Sequence, residues 1–147
     1  MYSQLSELVE ALDRKAIDDA KTPELELTEI MAKLLGPRER YRAYCEASRI
    51  CLEHGVEKWE KGSLREAYRK LWSSTVLYID CKLLSREDKL PSTLREYWNK
   101  VLELYLSEDE VVLRVWHTGL LAYIALVLDF IEEKLFMKLV DILKSSI

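Results

Sequence analysis

Turn-forming residues are scarce in this chain, with four Gly and three Pro in 147 residues. A β-sandwich or barrel needs turn formers at every hairpin, so this scarcity excludes those folds. Uncharged amides are scarcer still: Gln4 and Asn99 are each the single residue of their type. Proteins of heat-loving organisms deplete these thermolabile side chains while Glu, Lys and Arg take their place, and this pattern points to a thermophilic source. Neither sign of charge prevails, since 22 Lys and Arg stand against 26 Asp and Glu for a net charge of −4. A global electrostatic pull toward nucleic acid or an anionic bilayer is therefore missing, and any such site must be a local patch.

Other absences bear on location. The first residues, Met1 to Glu7, lack the positive start and apolar core of a secretory signal. The longest uninterrupted apolar run, Leu120 to Leu128, has nine residues, whereas a bilayer span needs about 20. A cytoplasmic protein without a membrane partner is expected. Three cysteines, Cys45, Cys51 and Cys81, form an odd set without framework spacing, and free thiols in a reducing cytosol are the expectation.

What is present is greasy and charged at once: 49 % hydrophobic and 33 % charged residues, a balance that excludes disorder. A chain of this length is one domain that buries roughly 70 % of its unfolded surface. The spacing of apolar residues is helical throughout. Leu5, Leu8, Val9, Leu12 and Ala16 mark a helix over residues 3 to 20. Thr22-Pro23-Glu24 reads as a cap, first position and first-turn acid, followed by Leu27, Ile30, Met31, Leu34 and Leu35. Tyr41, Cys45, Ser48, Leu52, Gly55 and Trp59 give a heptad-like seam over 37 to 61, in which small Ser48 and Gly55 invite close approach by a neighbour. Gly62 ends that helix, and Ser63 with Glu66 reads as a capping box opening the next, over 63 to 84. The two-residue link makes this pair antiparallel. The later stripes are Leu94 to Tyr105, a second capping box at Ser107-Glu108-Asp109-Glu110, the run from Leu120, and Ile131 to Leu143. The expected architecture is a single all-α domain over 1–147, an antiparallel bundle of about six helices, with an N-terminal helical pair over 1–36 and the bundle core over 37–147.

The order of these pieces resembles the PaREP family of archaeal proteins, grouped with the HEPN-like helical superfamily of nucleotide-binding domains. The likeness covers most of the chain. It rests on the N-terminal helical pair, the helix ending at Gly62, Trp116 in the last segment, and Ala67 with Lys70-Leu71-Trp72, similar to an Ala-x-Glu-Lys-x-Trp pattern. Arg69 stands where that pattern has Glu, and Ala122 to Val127 stands where the family carries Leu-His-x-Asn-Phe-Tyr. The resemblance implies a HEPN-like fold more than an activity. Some members of the wider superfamily are ribonucleases with Arg and His four to six residues apart, and Arg49 with His54 is the one such spacing here, on an early helix.

Three constellations are candidates for chemistry. Arg49 and His54 could polarise phosphate and move protons, although five residues turn them about 140° apart on a helix. Arg38 and Arg42 with Arg49 on one helix, and Arg65 with Arg69 on the next, could contact phosphates, or instead form a solvated face paired with Glu39, Glu46 and Glu66. Cys51 and His54 share a helix face but lack the further ligands a metal needs, so neither metal nor cofactor is expected. Nine of the aromatics between Tyr41 and Tyr123, among them Trp59, Trp72, Trp98 and Trp116, could stack bases, but their spacing is that of a core. These residues favour a non-catalytic binding or scaffold domain that self-associates as a homodimer through the apolar C-terminal helix. The alternative is a HEPN-like ribonuclease, or a nucleotide- or RNA-binding partner of a nucleotidyltransferase in a toxin-antitoxin type system.

Overall fold

The computed structural model describes residues 2–86, 89–107 and 109–147, without the side chains of residues 2–6, 8 and 9. Those described residues form seven α-helices and no strand: α1 Tyr2–Asp19, α2 Pro23–Ala32, α3 Pro37–Glu60, α4 Leu64–Ser85, α5 Leu94–Leu106, α6 Glu110–Val127 and α7 Glu133–Ser146. The all-α bundle read from the spacing is the fold. It has one helix more than expected because the chain breaks at Asp129, whose φ is 57°, before restarting as α7.

α4 is the axis. Every residue from Lys70 to Cys81 is buried, so this stretch of the helix has no solvent face. Its polar side chains find partners, as burial requires. Ser73 meets Thr22 at 2.8 Å, Thr75 donates to the Leu71 carbonyl at 3.0 Å, and Tyr97 donates to Asp80 at 2.7 Å. Against α3 the small residues of the expected seam allow close contact: Ser48 and Ser74 each donate to the other's carbonyl, at 2.8 and 2.7 Å. A methyl group added at Gly55 would stand 3.1 Å from the Lys70 Cβ. On the other side, a Cβ at Gly119 would fall 2.0 Å from the Thr75 hydroxyl, so α6 crosses α4 where only glycine fits. The Trp72 indole donates to the Ala16 carbonyl at 2.7 Å, fixing α1, and the Tyr68 hydroxyl donates to the Glu132 carbonyl at 2.8 Å, fixing the start of α7.

Several local expectations are corrected. Cys45 and Cys81 are joined in a disulfide, not free, because antiparallel α3 and α4 bring their Cα atoms to 5.1 Å; only Cys51 is a free thiol. The Ser63 hydroxyl makes no cap bond, and Glu66 instead accepts from Arg69 at 2.8 Å. The cap of α6 is Asp109, which accepts from the Val112 amide at 3.2 Å, while Ser107 closes α5; Glu108 lies outside the described residues. Leu5, Leu8 and Val9 of the first stripe likewise have no described side chains.

The largest correction concerns α2. Leu27, Ile30, Met31 and Leu34 face solvent, and Leu25, Thr28 and Ala32 face the core. Thr22 bonding to Ser73 and Glu24 bonding to Lys70 set the rotation of this short helix, and their polar contacts turn its apolar stripe outward.

Candidate functional site

The arginines do not converge. α3 rises about 36 Å over its length, so Arg38 and Arg42 at its start and Arg65 and Arg69 at the start of antiparallel α4 occupy opposite ends of the pair. Arg38 and Arg42 are exposed. Arg65 pairs with Asp129 at 2.6 Å and Arg69 with Glu66. Arg49 lies 3.6 Å from Glu46 and lines a cleft of about 220 Å³ beside Tyr41, Tyr78, Lys82 and the disulfide.

His54 belongs to a different place. Its Nδ1 lies 2.6 Å from Glu24 Oε1, and the same carboxylate receives Lys70 Nζ at 2.6 and 2.5 Å. Burial works to raise the Glu24 carboxyl, but the hydrogen bonds from Lys70 and then His54 outweigh it and hold the group at about 2. Glu24 is thereby a permanent anion that ties α2 to α3 and α4. Cys51, one turn before His54, does not share this site. Its sulfur is fully buried and donates to the Lys70 carbonyl at 3.4 Å, and burial pushes the thiol up to about 11, leaving it unreactive. No group of three or more metal-ligating side chains exists among the described residues. Arg49 and His54 thus have separate partners, Glu46 and Glu24.

The aromatic residues are mainly core. Tyr68, Trp72, Tyr97, Trp116 and Tyr123 are buried, with Tyr97 stacked on Trp116 at 5.9 Å and Trp72 tilted against it at 5.4 Å. Tyr105 is exposed, and Trp59 lies over Phe136 at 4.3 Å.

One concave surface of the bundle is apolar. α1, α5 and α6 enclose a groove of about 460 Å³ walled by Leu12, Leu94, Leu120, Ile124, Val127 and Leu128, with Asp13 and Lys15 at its edge. Val127 is 59 % exposed and Leu128 71 %, and Leu121 and Phe130 extend the surface beyond them. α6 is long and apolar enough by composition to be a candidate membrane span, yet half of its residues are packed inside the bundle.

Two constellations escaped the reading of the sequence. Glu24 joins Lys70 from 46 residues away, and Tyr97 joins Asp80 across two helices. The only hint of either was a Lys and an Asp interrupting an otherwise core-like stretch of α4. Comparison of the chain with family models, with curated proteins and with solved structures finds no match.

Proposed function

We propose that this chain is a non-catalytic helical scaffold domain that acts as a homodimer, two copies meeting through the groove of α1, α5 and α6. The observation that carries this reading is the exposure of Ile124, Val127 and Leu128 along one wall of that groove. A contiguous apolar surface of this kind marks an interaction site. A second copy is the favoured occupant because the edge carries one acid and one base, Asp13 and Lys15, so a two-fold axis places each opposite its complement. The resemblance to archaeal PaREP proteins fits a cytoplasmic chain of a heat-adapted organism. The Cys45–Cys81 bond fits it too, since intracellular disulfides are common in hyperthermophiles and rare elsewhere. Self-association adds to stability at high temperature by mass action.

The ribonuclease alternative needs Arg49 and His54 to act together, and their separate partners speak for the scaffold. Sedimentation velocity at micromolar concentration, with a single-stranded RNA cleavage assay alongside, tests the reading. A dimer without cleavage is the expected result. A monomer removes the self-association, and cleavage that is lost in His54→Ala replaces the scaffold with an enzyme.

A further inference from the structure

A second, smaller cavity of about 210 Å³ lies between α1, α2, α4 and α5, lined by residues other than those of the apolar groove. Asp80 lines it and is 3 % exposed. Its Oδ1 accepts from Tyr97, and among the described residues no donor meets Oδ2. Leu25 and Val76 supply apolar walls, while Glu29 and exposed Asp18 stand nearer the solvent. Among the described residues the one cation in the lining is Lys21.

We infer that this cavity binds a short aliphatic diamine, with one ammonium on Asp80 Oδ2 and the other on Glu29 or Asp18. Three carboxyls against one amine disfavour an anion. The carboxyls are not grouped closely enough to hold a metal ion together, so a ligand with positive charge at both ends and a hydrocarbon middle matches them best. Asparagine would accept the Tyr97 hydrogen bond equally well without burying an ionisable group, so that bond alone does not account for an acid at this position. An unpaired buried carboxyl that an ammonium can reach is a binding group held in reserve.

The Asp80 carboxyl holds a proton at pH 7. Burial pushes the Asp80 carboxyl up to about 8; the Tyr97 hydrogen bond opposes this rise and the nearby Glu29 charge adds to it. Burial and the Asp80 charge in turn raise Tyr97 well above its ordinary range, and burial with the Asp80 charge raises Tyr44 on α3 as well, so both hydroxyls remain neutral. An arriving ammonium stabilises the carboxylate, and the proton leaves to buffer as the ion pair forms.

Isothermal titration calorimetry with butane-1,4-diamine at pH 7, in two buffers of different ionisation enthalpy, tests this, with butane-1,4-diol as the neutral control. Saturable binding of the diamine alone is expected, with release of about 0.9 proton per ligand. Affinity should fall about tenfold or more in Asp80→Asn, with the proton release abolished, and should weaken in Glu29→Gln, which alters only the outer part of the cavity. No saturable heat, binding unchanged in a folded Asp80→Asn, or binding without proton release would each overturn the assignment. Because the cavity is separate from the groove of α1, α5 and α6, these results are independent of the oligomeric state.

Discussion

Glu24 is held by two groups of different character, the buried Lys70 ammonium and the half-exposed His54 imidazole, and this gives the fold a defined acid sensitivity. Its carboxyl sits at about 2 in the folded chain against 4.5 ordinarily. The lowered value means that the stabilisation is complete above 4.5 and is lost as the pH falls from there toward 2. The shift corresponds to about 3 kcal/mol. Since Gln resembles the protonated acid, wild type and Glu24→Gln should differ by about that amount in urea denaturation at pH 6 and converge by pH 2. A difference that persists at pH 2, or none at pH 6, contradicts the clamp. The sequence marked Glu24 only as a first-turn acid, because a partner 46 residues away leaves no local trace. His54 and Arg49 share a spacing that is legible, but the spacing says nothing of which helices flank them. Those flanking helices separate the pair.

At the level of elements, long and strongly periodic segments were readable and short ones were not. The span and seam of α3 and the central burial of α4 follow from apolar periodicity, because each of those helices offers many side chains to fix its rotation. α2 has ten residues, and two polar contacts at its start outweigh the three apolar side chains it turns outward, Leu27, Ile30 and Met31. Cap positions were similarly misplaced wherever a nearby side chain competed, as Arg69 does for Glu66. The crossing of α4 and α6 was also invisible in the sequence, since Gly119 lies in an apolar run where glycine has no turn to make. Gly119→Ala should cost about 3 kcal/mol or more, because the branched Thr75 cannot retreat from a Cβ in a packed core. Thermal unfolding checks this, and an unchanged midpoint would show that the two helices are free to part.

For the molecule as a whole, the three-residue link after α3, Lys61 to Ser63, sets the register that pairs Cys45 with Cys81. The seam position of Cys45 and the location of Gly62 were both on view, so this pairing could have been found by matching positions equidistant from the link. Closing a loop of 36 residues stabilises the fold by about 3–4 kcal/mol through the unfolded chain. Dithiothreitol should lower the urea midpoint accordingly, while an unshifted midpoint would mean the bond contributes nothing. The apolar excess of α6 was legible as a run, but which of its residues reach the surface depends on α4 and α7 covering the rest. Two apolar surfaces result, the concave groove beside α6 and the exposed stripe of Leu27, Ile30 and Met31 on α2 with Leu34 just after it. The decisive measurement is sedimentation equilibrium of Ile124→Glu beside Leu34→Glu. A dimer that dissociates to monomer in Ile124→Glu and persists in Leu34→Glu is the predicted result, and dissociation by Leu34→Glu with Ile124→Glu still dimeric would contradict the assigned face.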